Sequence, residues 1–483
     1  MAASTGHPVS HRHLRPLWFL ATAVVIVVAG AGVDRLGLLH PAVTRPAAGL
    51  PAGVTPVKGT VSVPAAAAPG VEPIVPVVPV EGPAVDLTAS TASLDKAISV
   101  WTANLQRDAE DFVSAQNLAL DYYTRGRLTG SIDDYSRAQA AVEQGLHAYP
   151  ADTAGQTMRA LLAYTLHDFQ GALAEAQAIY DADHTLLQAL ATIGDSQLEL
   201  GDYGSAAATF ETLAKAQPGA AVTARLAHLA ALQGRDAEAA ALAARAGVEA
   251  RAEGTDGTAL AFYDYLRGFI AFQVGDLEAA SAGYQAALVD WPGSYTALEG
   301  LAKVRAAQGR TAEAIALYRQ AIAIVPQPQY LAALGDLYQL TGQTVLADQQ
   351  YATVRAIAQL QATQPTVYDR QLVLFDANHG QDPAGALALA ERELAVRKDV
   401  YGWDAAAWAL LGAGRATEAD AAMTHALGQS THDALLSYHA GMIAHAVGDD
   451  VRARTQLEAA LTLNPGFDPL QAARARQVLA QLP

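Results

Sequence analysis

From about Asn117 to Pro465, apolar residues recur three and four apart, the spacing of one face of a helix, and glycine and proline interrupt them at nearly constant offsets. The clearest unit runs Ile193-Gly194, Gly201, Ala206, Phe210, Leu213, Pro218. It returns as Gly268, Gly275, Ala280, Tyr284, Ala287, Pro292, and again as Leu301-Ala302, Gly309, Ala314, Tyr318, Ala321, Pro326. A period of about 34 residues in this order predicts a helix, a turn at glycine, a second helix and a stop at proline, repeated in tandem.

Packing explains the small residues. Two helices that cross closely leave no room for a long side chain, so Gly194, Gly268, Ala302, Gly335 and Gly441 mark where a first helix touches its second. Ala206, Ala280, Ala314, Ala347 and Ala453 are the expected counterparts, and a larger residue at such a contact typically costs about 1–3 kcal/mol. Gly201, Gly234, Gly275, Gly309, Gly342, Gly414 and Gly448 follow helical stretches and suit the left-handed C-terminal position. Pro218, Pro292, Pro326 and Pro465 end second helices, where a missing donor does no harm. Some copies depart from the pattern. The first shows an insertion around Arg125 to Asp134, those near 154–184 and 220–247 lack the closing proline, Arg267 fills a slot usually apolar, and the copy near 366–398 is distorted by NHGQDPAG.

This pattern resembles the tetratricopeptide repeat family, in a membrane-anchored bacterial form, over about 370 residues. The resemblance implies an all-α, right-handed superhelical solenoid of about ten helix-turn-helix repeats whose first helices line a concave groove. The expected organisation is a tail at 1–13, a membrane or signal helix at 14–35, a Pro/Ala/Val-rich stalk at 36–90, a capping helix at 91–116, the array at 117–467 and a closing cap at 468–483. Such caps shield the terminal interfaces of a solenoid.

The N-terminus follows a different pattern. After Arg12 and Arg15, an uncharged run extends from Leu17 to Val33, long enough to anchor in a bilayer with the N-terminus inside. Ala29-Gly30-Ala31 also fits a signal cleavage site, so secretion after removal near Ala31 is the alternative. Between Pro41 and Pro83 lie 10 of the chain's 22 prolines, which exclude helix and predict an extended stalk reaching up to roughly 170 Å. The expected location is therefore the cell membrane, with the repeats on the extracytoplasmic side.

Composition narrows the function. Acidic residues number 48 against 31 basic ones, and such a body repels phosphate backbones, which argues against nucleic-acid binding. Without a cysteine the chain has no disulfide, thiolate nucleophile or thiolate zinc site. No phosphate loop, GxSxG turn or HExxH helix occurs, and His439 and His445, six apart, point in different directions on a helix. The expectation is a non-enzymatic protein with no cofactor and no metal.

Two aromatic stripes are candidate partner sites. Carrying the family's groove geometry onto this chain with Gly268 at the helix contact places Phe262, Tyr265, Phe269 and Phe272 on the groove side; the alternative is core between adjacent helices. The second stripe sets Tyr401, Asp404 and Trp408 on one helix and Tyr438, Met442 and His445 on the next, a mixture suited to recognition, with core and rim again as the alternative. The regular Lys and Asn pattern that grips a C-terminal carboxylate in chaperone-binding members is missing. The resulting expectation is a scaffold for a protein or peptide partner among bacterial envelope components; a solute- or glycan-binding accessory protein using Trp408 and Tyr438 is the rival.

Overall fold

The structure, a computed structural model, describes residues 88–255, 257–361, 370–380 and 382–483. Expectations for residues 1–87, including the apolar run and the stalk, lie outside the described residues. Within them there are 22 α-helices and no strand, and no helix is long and apolar enough to cross a membrane.

Helix α1 (Thr88–Arg107) precedes a series of consecutive helix pairs. These are α2 (Phe112–Thr129) with α3 (Ile132–Ala148), α4 (Thr153–Thr165) with α5 (Phe169–Ala182), α6 (Leu187–Glu199) with α7 (Tyr203–Ala216), α8 (Ala220–Leu232) with α9 (Asp236–Ala252), and α10 (Gly257–Gln273) with α11 (Leu277–Asp290). The series continues as α12 (Tyr295–Ala307) with α13 (Thr311–Ile324), α14 (Pro328–Leu340) with α15 (Thr344–Gln361), α16 (Arg370–His379) with α17 (Pro383–Val396), α18 (Val400–Gly412) with α19 (Ala416–Ala426), and α20 (Ala434–Ala446) with α21 (Asp450–Leu463). Helix α22 (Gln471–Leu479) closes it.

The turns follow from local chemistry. All seven turn glycines adopt left-handed φ between 65° and 81°. An aspartate then often caps the next helix: Asp202, Asp276 and Asp449 follow their glycine directly and accept from the amides of Ser205, Ala279 and Arg452. Asp111, Asp152, Asp168, Asp382, Asp399 and Asp433 do the same for α2, α4, α5, α17, α18 and α20. Part of the chain's acidity is therefore structural, set where the helix dipole favours a negative charge. In the α4–α5 turn, which has no glycine, His167 takes φ 67°. The insertion expected around Arg125–Asp134 is instead helix: α2 continues to Thr129, and a single glycine, Gly130 at φ 68°, separates it from Ser131, the cap of α3.

Each pair closes on the small residues singled out above, with a refinement. At three of the contact glycines the tight neighbour is an aromatic ring of the second helix: a Cβ on Gly268 would lie 2.9 Å from Tyr284, and Gly194 and Gly335 press in the same way on Phe210 and Tyr351, whereas Gly441 meets Leu457. Ala206, Ala280, Ala314, Ala347 and Ala453 are fully buried beside them. At the ends, Ile98 and Leu105 of α1 join the core of α2 to α4, and Ala475 and Val478 of α22 cover α20 and α21.

The superhelix returns on itself. One apolar cluster joins Leu198, Tyr203, Phe210 and Leu232 of the early pairs to Val400, Met423, Leu436 and Ile443 of the late ones. The Lys398 amide donates to the Glu199 carbonyl at 2.9 Å, the Val400 amide to the Tyr203 hydroxyl at 2.8 Å, and the Thr431 hydroxyl to the Leu232 carbonyl. Roughly six repeats therefore make one superhelical turn, as a repeat period of about 34 residues and contacts 197 to 199 residues apart require.

Candidate functional site

The first helix of each pair carries the polar and aromatic groups that face the inside of the superhelix. On α10, Tyr265 is core: its ring lies 6.1 Å from Phe269 and 5.7 Å from Tyr284. Phe262, Phe269 and Phe272 are half-buried, Phe262 against α8 and α9, Phe269 between that cluster and the next, and Phe272 against the cluster that runs from α10 to α16. The stripe is thus mostly an interior seam with partly open edges, because stacking neighbours on both sides cover it.

The α18–α20 stripe is more polar. Asp404 and Tyr438 are buried, Tyr401, Trp408 and Met442 are half-buried, and His445 is exposed and pairs with Asp450 at 3.3 Å. Both Asp404 oxygens hold Nδ1 of fully buried His439, at 2.9 and 3.0 Å. The Trp408 ring stacks on His439 at 4.1 Å and 19°, with Tyr438 5.7 Å from Trp408 and Phe467 5.5 Å from Tyr438. The Trp408 indole donates to Asn378 Oδ1 at 2.7 Å, and Gln471 of α22 donates to the same oxygen at 2.7 Å. The two stripes meet where Gln273, the last residue of α10, donates to the Tyr401 hydroxyl at 2.5 Å.

Around this aromatic stack lies a charged lining. Lys303 of α12 pairs with Glu299 at 2.5 Å; His379 of α16 meets Asp336 of α14 at 3.0 Å, and the Tyr351 hydroxyl donates to Asp336 at 2.6 Å. Asp433 and Asp468 cap α20 and the start of α22. Burial raises the carboxyls of Asp433 and Asp468 above the usual range, against the pull of their amide bonds. The Lys303 side chain is about half exposed; the protein around it still pulls the ammonium down, but Glu299, Asp433 and Asp468 together outweigh this and leave Lys303 raised. A signal for some of these existed in the repeat register. The position after the contact residue holds Asp195, Phe269, Lys303, Asp336 and Met442, so one inward-facing slot varies from acid to aromatic to base.

Deeper in the early repeats the interior is filled. Arg225 of α8 forks onto Asp195 of α6 at 2.8–3.1 Å, both almost fully buried, and the space they share with Tyr164, Glu199, Phe210 and His228 is only about 10 Å³, barely one water. Burial pushes His228 down to about 4, so it stays neutral. A separate open depression of about 420 Å³ lies between α4 and α5, with the Arg159–Glu175 pair, 3.1 Å apart, in its wall. Among the described residues no three His, Cys, Asp or Glu side chains gather as metal donors.

Residues 192–254 and 265–327, which are α6 to α9 and α10 to α13, match the family described as tetratricopeptide repeat. No curated protein matches the chain. Among solved structures, the APC/C hetero-tetramer Cut9-Hcn1 is 14% identical, with 81% of this chain and 94% of that chain covered and a TM-score of 0.29. The human IFIT1 dimer with PPP-AAAA is 13% identical, with 78% and 88% covered and a TM-score of 0.44. A tetratricopeptide repeat protein from Parabacteroides merdae is 18% identical, with 56% and 97% covered and a TM-score of 0.30.

Proposed function

This chain belongs to the tetratricopeptide repeat family, whose stacked helix pairs generally bind protein partners, and we propose from that premise that it is a non-enzymatic scaffold displayed outside the cytoplasmic membrane. The apolar run Leu17–Val33 tethers it, the proline-rich stalk sets the repeats away from the bilayer, and the concave face receives a protein or peptide of the bacterial envelope. The observation that carries this reading is the half-buried Trp408, stacked on His439 and held edge-on by Asn378 amid charged side chains. A tryptophan fixed in place but still partly exposed is the kind of anchor that dominates binding energy at interfaces.

Capture from an envelope fraction by the full chain tests it. Trp408→Ala, with an unchanged melting temperature, is expected to lose the partner bound by wild type, whereas Val451→Ala, on the open outer face, keeps it. An identical captured set for wild type and Trp408→Ala overturns the proposal. Tryptophan quenching by small saccharides, abolished in Trp408→Ala, would transfer the site to a solute-binding role.

A further inference from the structure

The seven turn glycines share one backbone conformation but not one environment. A Cβ on Gly201 would come 2.5 Å from the Lys398 carbonyl oxygen, and one on Gly234 or Gly275 would collide with the carbonyl of Ser430 or Leu463. Around Gly309, Gly342, Gly414 and Gly448 there is nothing within 4 Å. The division follows chain position. The turns of α6–α7, α8–α9 and α10–α11 have a repeat about six units downstream to land on; the α12–α13 turn is met only beside its glycine, at Ala307, and the glycines of the later turns meet nothing.

The contact line is chemically mixed. Beside the backbone bonds it holds an ion pair from Arg397 to Glu199 at 2.7 Å and a hydrogen bond between His432 Nδ1 and Asp236 at 2.6 Å. Near its far end Gly466 packs against Ala307, one helical turn beyond Lys303, so the line passes close to the charged lining. We propose that this seam is a latch: seated, it closes the superhelix around its concave lining, and released, it opens that lining to a partner. This rests on the reading that the concave lining is the binding surface. The polar contacts lie at turn ends over the apolar cluster that joins Leu198 and Tyr203 to Val400 and Leu436, and such an interface between repeats far apart in the chain opens below the global unfolding free energy.

The glycines supply a controlled test in the full chain. Gly201→Ala and Gly234→Ala carry the same backbone strain as Gly414→Ala and Gly448→Ala, so any difference between the sets reports the seam. The seam variants are expected to raise hydrogen exchange at Lys398 and Val400 by about tenfold or more and to enlarge the radius of gyration, with the control variants unchanged in both. Tyr203→Phe, which removes only the acceptor of the Val400 amide, serves if a glycine variant aggregates.

Because the chain has no cysteine, Lys303→Cys gives a single reporter inside. A polymer-linked maleimide should label it faster when the seam is broken, while a small maleimide labels at the same rate. In a seam variant that keeps Lys303, a short bismaleimide across Asp236→Cys and His432→Cys should restore slow hydrogen exchange at Lys398 and Val400. Equal exchange in the two glycine sets, or a broken seam with no gain for the bulky reagent, overturns the latch. None of these readouts uses a partner, so they stand or fall separately from the capture by Trp408.

Discussion

The Asp195–Arg225 pair shows how a single residue can matter without touching a partner. Both side chains are nearly inaccessible, and three donor–acceptor contacts join α6 to α8. Asp195→Ala leaves a guanidinium buried without its counter-charge and is expected to cost about 3–5 kcal/mol in chemical denaturation; the double substitution Asp195→Leu with Arg225→Met should lose much less. Glycines divide just as sharply. A Cβ on Gly335 would run into the Tyr351 ring, so Gly335→Ala should destabilise by about 1–3 kcal/mol. Gly412, the last residue of α18, has open space around it, and Gly412→Ala should be neutral or stabilising by up to about 1 kcal/mol in the same measurement.

At the scale of elements, the question is how the terminal helices hold on. Helix α1 docks through Ile98, Leu105 and Trp101, whose indole donates to Asp121 of α2 at 2.9 Å. Burial lifts the Asp121 carboxyl from 3.8 to about 6, although the Trp101 bond opposes the shift. A carboxyl raised in the folded state binds its proton more tightly there than in the unfolded chain. Its contribution is therefore full below about pH 4 and is lost as the pH rises through 6. Exchange protection of α1 should fall across that window, and Asp121→Asn should flatten the dependence. A second element-scale lesson concerns the first repeat. Its extra residues looked like an insertion because the glycine came late, yet α2 simply continues for 18 residues until Gly130 allows the turn.

For the whole molecule, the superhelical return changes what the concave face is. Early repeats fill their interior with Tyr164, Arg225 and Asp195, whereas the later ones leave Lys303 and Trp408 partly open. The place where that face is displayed is a matter of topology. A reporter enzyme active only outside the cytoplasm, fused after Pro83, is expected to be active, and an inactive fusion of normal abundance would remove the export reading.

Local chemistry determined what the sequence could reveal by itself. The turns, the contact glycines, the closing prolines and the pairing of neighbouring helices all depend on residues within one repeat, and each leaves a mark at a fixed offset. Trp408, Asp404 and Tyr438 were legible as one group for the same reason, since they lie on adjacent first helices. Tertiary structure alone decided the rest. Whether Tyr265 faces solvent or core, and whether Asn378 meets both Trp408 and Gln471, depends on how the repeats stack. That Gly201, Gly234 and Gly275 are pinned against a later turn while Gly414 and Gly448 are free depends on superhelical pitch. Pitch is the sum of small rotations between repeats, and no single offset along the chain records it.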